Sequence, residues 1–256
     1  MRTQPLFVST AIMLSSCVSP SKPDMTPIGA PIRNKTAMLE AGANALQRDT
    51  PVDRLGIYLV GFHPLKSNPN HQMTAHHYCN QINEDFAQCA LFDGNTKEAN
   101  LNGIEYIISE RIYSSLPPAE RKYWHPHNYE ILSGQLVAPG IPKTAEKALM
   151  KQKMNSYGKT WHVWMTGGYG IAGNSLPLGE PKLAWSFNRN GENAPGIVEK
   201  RDKVLGINTA SKRASRQDLV PSAHPQGGVD DLRRSFGRRT TPLPGVMEKR
   251  TRAISH

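Results

Sequence analysis

The sequence predicts an α+β fold, a single domain with a mainly antiparallel sheet and a few packed helices. Short apolar runs typical of strands follow one another along the chain, and helical patterns interrupt them at irregular intervals. Several predicted strands are adjacent in sequence, which favours antiparallel pairing, whereas a regular alternation of strand and helix would favour a parallel sheet. The length of 256 residues suits one large domain or two small ones, and no internal repeat is present.

The N-terminus has the features of an export signal. Arg2 supplies a positive charge, and the apolar stretch that follows is too short to cross a bilayer. It ends in Leu14-Ser15-Ser16-Cys17, which resembles the bacterial lipobox, where the cysteine is acylated. We therefore predict a lipoprotein signal peptide over residues 1–17 and a membrane anchor of acyl chains, palmitate included, on Cys17. The alternative is a chance Ser-Ser-Cys within an ordinary signal.

The residue after the cysteine is Val18. An aspartate at this position would resemble a signal for retention in the inner membrane. The valine instead favours an outer-membrane lipoprotein that faces the periplasm of the cell envelope. Residues 18–34 contain four prolines, so we expect an extended tether between the membrane and the domain.

The folded domain is predicted over residues 35–200. It begins with a helix near Lys35, whose apolar residues Met38, Leu39, Ala43 and Leu46 share one face. A second helix is expected to start near Ser115, and a third to span 144–157 and end at Gly158. The predicted strands are, in chain order, 55–62, 73–79, 86–92, 101–109, 130–138, 160–166 and 183–187.

The formal net charge of +10 is concentrated in the last quarter of the chain. From Glu199 onward there are thirteen basic and six acidic residues, so this segment carries seven of the ten excess charges. Apolar periodicity fades there, and we predict a disordered basic tail over residues 201–256. The tail is expected either to lie against anionic lipid or cell-wall polymer, or to be merely solvated. The rest of the chain is nearly neutral, so no specific nucleic acid partner is expected.

Apart from Cys17, the chain has two cysteines, Cys79 and Cys89. If strands 73–79 and 86–92 form a hairpin centred on Glu84, these cysteines lie opposite each other. An even pair in an oxidising compartment favours a disulfide. The alternatives are a redox-sensing pair and a nucleophilic thiol at Cys79 beside His77. The Asn83-Glu84-Asp85 run is either a tight turn or a carboxylate pair for acid–base work.

Histidines occur in three groups, each beside a predicted strand and accompanied by aromatic or acidic residues. Neutral imidazole is the commonest side-chain metal ligand, and with carboxylate it suits a divalent metal such as zinc, iron or manganese. The candidate binding or metal residues are His76, His77, His125, His127, Glu130 and His162. Because strand side chains alternate, only one of His76 and His77 can face a shared pocket.

Three other interpretations of the histidine groups stay open. The His-x-His followed by Glu resembles the ligand set of cupin barrels, although the carboxylate comes one or two positions early. The polar groups could instead hydrogen-bond one another and the backbone, as buried polar groups generally do. A binding or catalytic pocket without metal is the third alternative.

Many motifs in order resemble the oil-body-associated protein family, between about Met38 and about Gly191. They are Gly61-Phe62-His63-Pro64, His76-His77-Tyr78-Cys79, Asn83-Glu84-Asp85-Phe86, Gln88-Cys89, Gly103-Ile104-Glu105-Tyr106-Ile107, Trp124-His125-Pro126-His127, Ser133-Gly134, Ala138-Pro139-Gly140 and Gly158-Lys159-Thr160-Trp161-His162.

The resemblance implies a family known from plant seeds, where members associate with lipid droplets, with many bacterial relatives. No enzymatic activity or cofactor is established for it, so the resemblance transfers no catalytic residue. Plant members resemble this chain at both cysteines although they work in a reducing compartment, which implies a role for these positions beyond a disulfide. The signal and the basic tail depart from the plant pattern, so droplet association is not transferred.

Together these observations predict a membrane-anchored, periplasm-facing lipoprotein with one domain of this family. We expect a non-enzymatic binding or envelope-associated module, whose ligand the sequence does not name. The alternative is a metal-dependent hydrolase or oxygenase that uses a His/Glu site.

Overall fold

The computed structural model describes residues 18–47 and 50–249. Cys17 and the rest of the predicted signal lie outside the described residues. The strands are β1 Ile57–Leu65, β2 Asn68–Asn83, β3 Phe86–Phe92, β4 Leu101–Ile108, β5 His125–Pro126, β6 Tyr157–His162, β7 Gly167–Gly168, β8 Ile171–Ala172 and β9 Lys182–Leu183. The helices are α1 Asn34–Leu46, α2 Glu110–Ser115, α3 Pro118–Arg121, α4 Asn128–Leu132, α5 Lys143–Lys153, α6 Ile197–Leu205 and α7 Thr209–Ser215, with 3₁₀ turns at Pro51–Arg54 and Gln217–Ser222.

One curled antiparallel sheet organises the domain. Its strand order is β1-β2-β3-β4-β6-β5, with β9 added beside β6, while β7 and β8 form a small separate pair. Every pairing between these strands is antiparallel. The predicted α+β class with a single domain and a mainly antiparallel sheet is therefore confirmed.

The central hairpin follows the predicted register. Cys79 of β2 lies opposite Cys89 of β3, and the structure joins their sulfurs in a disulfide with 4.0 Å between the Cα atoms. Burial alternates along β3, where Ala87, Cys89 and Leu91 are buried and the residues between them are less so. This period of two fixes which side chains face the interior of the curled sheet.

Two cross-strand rows on this inner face position the polar residues of the domain. The first row runs from Cys79 through Cys89 and Glu105 to Thr160. The second, two residues along each strand, begins at His77 and ends at His162. Because strand side chains repeat with a period of two, both rows point to the same face.

The predicted strand over 130–138 is wrong. Its first part is α4, and of the remainder only Val137 forms an isolated bridge, with Val60 of β1. A short apolar run such as Tyr129 to Leu132 fits a helix turn as well as a strand, and its length cannot separate the two. Gly134, with φ +80°, turns the chain after the helix in a conformation that favours glycine.

The predicted helix over 144–157 ends early. α5 finishes at Lys153, and Asn155, with φ 64°, takes the left-handed position that had been assigned to Gly158. Gly158 belongs instead to β6. The helix expected to start near Ser115 is the short α3, which begins at Pro118, while α2, capped by the Ser109 side chain, ends at Ser115. The strands predicted at 160–166 and 183–187 are present but displaced or shorter, as β6 and β9.

Residues 18–34 do not form a free tether. Prolines keep this segment out of regular structure up to α1, but its backbone hydrogen-bonds to the loop around Asn95 and Asn100. The predicted α1 is confirmed as a helix, yet none of its residues is buried. Within residues 18–47 and 50–249, no helix combines the length and apolarity that crossing a bilayer requires.

The predicted disordered tail is wrong for its described part, residues 201–249. α6, α7 and the loops after them pack onto the domain and contribute to its core Leu219, Val229, Leu232, Phe236, Leu243 and Val246. These apolar residues are widely and irregularly spaced, so they bury themselves from loops and leave no helical or strand period in the sequence. Two of the arginines counted as excess charge, Arg201 and Arg216, are buried as well.

Truncation of one of these residues tests the packing of this segment. We expect Phe236→Ala to lower the free energy of unfolding by about 3–5 kcal/mol, because Phe236 is 4% exposed and its ring packs 5.9 Å from that of Phe187. The exposed neighbour Arg234 is the control, since Arg234→Ala should change stability by less than about 0.5 kcal/mol. Equal effects of the two variants in urea unfolding would contradict the observed packing.

Candidate functional site

Five imidazoles and two carboxylates meet on the inner face of the curled sheet. The sheet supplies most of them, and the turn into α4 supplies the rest. They are His63 of β1, His77 of β2, Glu105 of β4, His125 of β5, His127 before α4, Glu130 of α4 and His162 of β6. Each is at most 4% exposed, so this polar cluster lies in the interior.

Glu105 is at the centre of the cluster. Its Oε2 lies 2.9 Å from Nε2 of His77 and 3.8 Å from Nε2 of His63. Its Oε1 lies 3.3 Å from Nε2 of His127 and 3.7 Å from Nε2 of His125. All four imidazoles therefore point the same ring nitrogen at one carboxylate.

The partners on the far side of each ring determine where its proton lies. Nδ1 of His77 is 3.1 Å from the backbone oxygen of Ala75, which can only accept, so Nδ1 carries the hydrogen. In a neutral imidazole the other nitrogen then has no proton. The lone pair of His77 Nε2 thus faces Glu105.

His127 has the same orientation. The hydroxyl of Ser156 donates to the backbone oxygen of Lys153 at 2.7 Å, so it accepts a hydrogen bond from Nδ1 of His127, 2.8 Å away. The Nε2 lone pair of His127 is consequently also directed at the carboxylate of Glu105.

A two-imidazole relay orients His63. Nδ1 of His162 is 3.3 Å from the backbone oxygen of Asn102 and must donate to it, which leaves Nε2 of His162 as an acceptor. That nitrogen is 3.1 Å from Nδ1 of His63, so His63 donates there. The Nε2 lone pair of His63 is then free to face Glu105. Three imidazoles are held in this way with their hydrogens outward and their lone pairs inward.

The centre also contains polar atoms without hydrogen bonds in the described part of the chain, and a glycine that packs directly over them. Both ring nitrogens of His125 and Oε2 of Glu105 are buried without a hydrogen-bond partner among the described residues. Gly158 of β6 lies directly over them, and a Cβ at that position would overlap both the Glu105 carboxylate and the His125 ring. The glycine therefore provides the space in which the carboxylate and the ring approach each other.

Burial separates the protonation states of these groups. It lowers the pKa of His63 well below its usual value, that of His125 to about 3 and that of His162 to about 4, so these rings are neutral at neutral pH. Burial also raises the pKa of Glu130 well above its usual value, with repulsion from Glu105 in the same direction.

Glu105 is the exception. Burial alone would raise its pKa, but hydrogen bonds from His127 and His77 outweigh burial and hold the pKa well below its usual value, an effect that needs a proton or a cation between each ring nitrogen and the carboxylate. One ionised carboxylate, Glu105, thus lies beside one protonated carboxyl, Glu130, within the same cluster.

Of the six residues predicted from the sequence, the structure brings five together: His77, His125, His127, Glu130 and His162. His76 lies elsewhere, on the other side of β2, where its Nδ1 is 2.7 Å from the Tyr58 hydroxyl. Alternation along β2 lets only one of His76 and His77 face the pocket, and the register selects His77.

Sequence reasoning missed two members of the cluster, His63 and Glu105. His63 had been treated as the end of a strand, although β1 continues to Leu65. In β4 the apolar Ile104 and Tyr106 face outward, and Glu105 between them faces inward. The alternation was visible in the sequence, but it does not say which phase is the buried one.

The Asn83–Asp85 run forms a turn, in which Asn83 Oδ1 accepts from the backbone N–H of Asp85 at 3.0 Å.

The chain was compared with known proteins. A family described as "Protein of unknown function (DUF1264)" matches residues 49–220, a range that includes all seven residues of the cluster. The chain is 38% identical over 206 residues to oil body-associated protein 2B of Arabidopsis thaliana, covering 80% of this chain and 82% of that relative. It is 32% identical over 226 residues to oil body-associated protein 1A of Zea mays, covering 88% and 90%. No solved structure matches the chain.

The buried neutral imidazoles predict acid sensitivity in the presence of a chelator. His63, His76, His125 and His162 stay unprotonated in the fold, whereas in the unfolded chain they bind protons below about pH 6.5. Stability is therefore fully present above that pH and is lost as the pH falls. Glu130 and Glu192, whose pKa values burial raises, oppose this trend. Because more of these groups are histidines than carboxyls, stability should fall between pH 6 and 5, by about 1.4 kcal/mol per pH unit for each proton of the difference.

Urea unfolding at pH 7.5, 6.0 and 5.0 measures this slope. Replacing one of the rings by a group that cannot be protonated, in His162→Gln, should make the slope shallower by about one proton. If the free energy of unfolding stayed constant or increased as the pH was lowered from 7.5 to 5.0, these rings would not be buried in their neutral form.

Proposed function

The chain belongs to the oil body-associated protein family, and from that premise we propose that this protein is a membrane-anchored, non-enzymatic module that holds a divalent metal ion in the buried centre at Glu105. The proposal has two parts, the metal centre and the membrane anchor, and they are tested separately.

The convergence of lone pairs on Glu105 is the observation that supports the metal centre. The carboxylate of Glu105 lies 2.9 and 3.3 Å from the Nε2 atoms of His77 and His127, which carry lone pairs in the neutral tautomers that their outer hydrogen bonds select. Only an additional proton or a cation between these atoms makes the contact attractive. Burial makes the requirement stronger, because an unpaired charge in the interior costs several kcal/mol.

The donor set and its spacing fit a first-row divalent ion. With ligands about 2.1 Å from a tetrahedral ion, neighbouring ligand atoms lie roughly 3.4 Å apart. Two three-residue groups share Glu105: His77 and His63 lie 2.9 and 3.8 Å from its Oε2, and His127 and His125 lie 3.3 and 3.7 Å from its Oε1, all near that value. His125 adds a fourth imidazole without another partner. Imidazole with carboxylate suits zinc, iron or manganese.

The surroundings of the ligands support the same assignment. Metal-binding histidines usually donate their second ring N–H to a carbonyl, hydroxyl or carboxylate, which fixes the ring and its tautomer. Here Ala75, Ser156 and His162 accept from His77, His127 and His63 respectively. Structural hydrogen bonding alone would not require all three rings to present the same unprotonated nitrogen to one carboxylate.

The size of the cavity favours binding over turnover. The space bounded by Glu105, Glu130 and Lys153 measures about 20 Å³. That volume holds a single water molecule, since one water needs at least about 10–15 Å³ by this measure. An organic substrate would require the interior to open, so the enzyme alternative is the less favoured one.

Metal analysis tests the centre. Protein purified without chelator should contain about one equivalent of a divalent metal, and zinc should raise the melting temperature of chelator-treated protein. We expect His127→Ala to lose the metal because it removes a ligand, whereas the matched variant His76→Ala should keep it. Folded protein that takes up no zinc, iron or manganese in equilibrium dialysis would refute the metal centre, as would equal loss in both variants.

The variant Glu105→Gln separates a metal site from a network of hydrogen bonds. Glutamine keeps the shape, removes the buried charge and offers an N–H to one lone pair, so the metal-free variant should be at least as stable as metal-free wild type. It should gain little stability from zinc. If Glu105→Gln instead destabilised the metal-free protein by several kcal/mol, imidazolium–carboxylate pairing would account for the cluster without a metal.

The membrane anchor is supported by the sequence Leu14-Ser15-Ser16-Cys17. The disulfide between Cys79 and Cys89 is compatible with the oxidising periplasm that an outer-membrane lipoprotein faces. Two or more acyl chains on Cys17 hold a protein stably on a membrane, whereas a single chain does so only marginally.

Acylation is testable in a bacterial host grown with labelled palmitate. Wild-type protein should incorporate the label and sediment with membranes, while Cys17→Ser should be unlabelled. Ser16→Ala is the matched control, because alanine keeps the small residue before the cysteine and should leave labelling intact. Label retained by Cys17→Ser, or absent from the wild type, would exclude the anchor at this residue.

A further inference from the structure

The N-terminal segment fixes where the described chain begins on the surface of the domain. Nδ2 of Asn95 donates to the backbone oxygen of Ser19 at 3.0 Å. The backbone N–H of Asn95 donates to the backbone oxygen of Ser21 at 2.9 Å. Further along, Asn100 Nδ2 donates to the backbone oxygen of Met25 at 2.6 Å. These bonds hold the segment that begins at Val18 against the domain.

Val18 lines a surface groove between α5 and the start of α7. The groove has a volume of about 670 Å³. Its apolar contributors include Ile141, Leu205 and Ile207, and its polar contributors include Lys143 and Lys147. Val18 thus lies at a margin where apolar and basic side chains come together.

A stripe of lysines follows one side of α5 from this groove. Lys143, Lys147 and Lys151 are spaced four residues apart, which places them above one another on a helix surface. Lys143 and Lys151 are exposed, and Lys147 is partly exposed.

The acids packed beside the stripe do not neutralise it. Glu146 is buried and pairs with Lys212 and Arg216 across the groove, while Asp218 pairs with Lys147 at 2.7 Å. Leaving out the buried pair of Glu146 and Arg216, four lysines (Lys143, Lys147, Lys151 and Lys212) face one acid, Asp218, so this face carries a net charge of three positive.

We infer that this face, comprising the groove around Val18 and the lysine stripe of α5, is the surface that the protein lays against anionic phospholipid headgroups. The inference rests on the proposed anchor, because acyl chains on Cys17 would bring the membrane to the place where Val18 is held. Each lysine near a negatively charged membrane strengthens binding roughly fivefold, so three lysines together strengthen it roughly 100-fold. The apolar margin of the groove faces the same membrane surface.

Several described arginines of the predicted basic tail do not belong to this face. Arg201 and Arg216 of that segment are buried and hydrogen-bond to backbone oxygens, so they cannot reach a headgroup. Exposed arginines such as Arg233 and Arg234 do not line the groove at Val18.

Vesicle binding tests the face without relying on acylation. The protein used is residues 17–256 with Cys17→Ser, which retains every described contact because the structure describes none before Val18. Sedimentation with vesicles of 30% phosphatidylglycerol in phosphatidylcholine is compared with pure phosphatidylcholine. The test variant is Lys143→Ala/Lys147→Ala/Lys151→Ala, and the control variant Arg233→Ala/Arg234→Ala/Arg239→Ala removes the same charge elsewhere.

We expect binding to the anionic vesicles alone, weakened roughly 100-fold in the lysine variant, nearly unchanged in the arginine variant and abolished by 1 M salt. Melting temperatures confirm that both variants are folded. Equal weakening by the two variants, absence of vesicle binding, or retention on isolated cell-wall polymer without vesicle binding would overturn the inference. None of these results bears on acylation, which the palmitate labelling decides independently.

Discussion

The buried carboxylate of Glu105 is the constraint around which the interior of this domain is arranged. Moving an ion out of water costs several kcal/mol even after the protein relaxes, unless opposite charge and hydrogen bonds compensate. Around Glu105 the fold places four imidazoles whose Nε2 atoms face the carboxylate, 2.9 Å away in His77 and 3.3 Å away in His127. The buried Lys153 lines the same small cavity, but its ammonium group donates to Gln81. Such an arrangement is costly as a way of stabilising an anion and effective as a way of surrounding a cation.

The antiparallel sheet produces this convergence through register. β2, β3, β4 and β6 pair so that Cys79, Cys89, Glu105 and Thr160 share one row, and the next row begins at His77 and ends at His162. Curling of the sheet then brings the inner face around itself. Gly103 serves this close approach, because a Cβ there would lie 3.1 Å from Nδ1 of His162. Small residues are needed where large rings face one another.

The sequence predicted those features that depend on local periodicity. The hairpin with Cys79 opposite Cys89 follows from two alternating runs and a polar turn, and the α+β class follows from the order of such runs. Glu105 and His63 could not be found in this way. In β4 both phases of the alternation contain apolar residues, so the choice of the buried face is made by neighbouring strands and not by β4 itself.

The same limit explains why the last quarter of the chain was misjudged. Its arginines were counted as surface charge, but Arg216 donates to the backbone oxygens of Ile131 and Leu136 at 2.8 and 2.9 Å, and Arg201 donates to that of Gln135. The Ile131 carbonyl lies in the last turn of α4, and those of Gln135 and Leu136 lie in the irregular chain after it, whose one strand contact within the described residues is the bridge at Val137. Buried backbone oxygens need donors, and guanidinium groups supply several in a fixed geometry.

The late segment also reaches the polar cluster itself. Gln226 accepts from the backbone N–H of Asn128 at 3.0 Å and donates to the backbone oxygen of Ser156 at 2.9 Å. Asn128 follows His127 in the chain, and Ser156 is the residue that accepts from the His127 ring. One buried amide from the supposed tail therefore fixes both the backbone that carries His127 and the hydroxyl that sets its tautomer. The orientation of a lone pair toward Glu105 thus depends on residues about a hundred positions away, a dependence that no local pattern in the sequence could express.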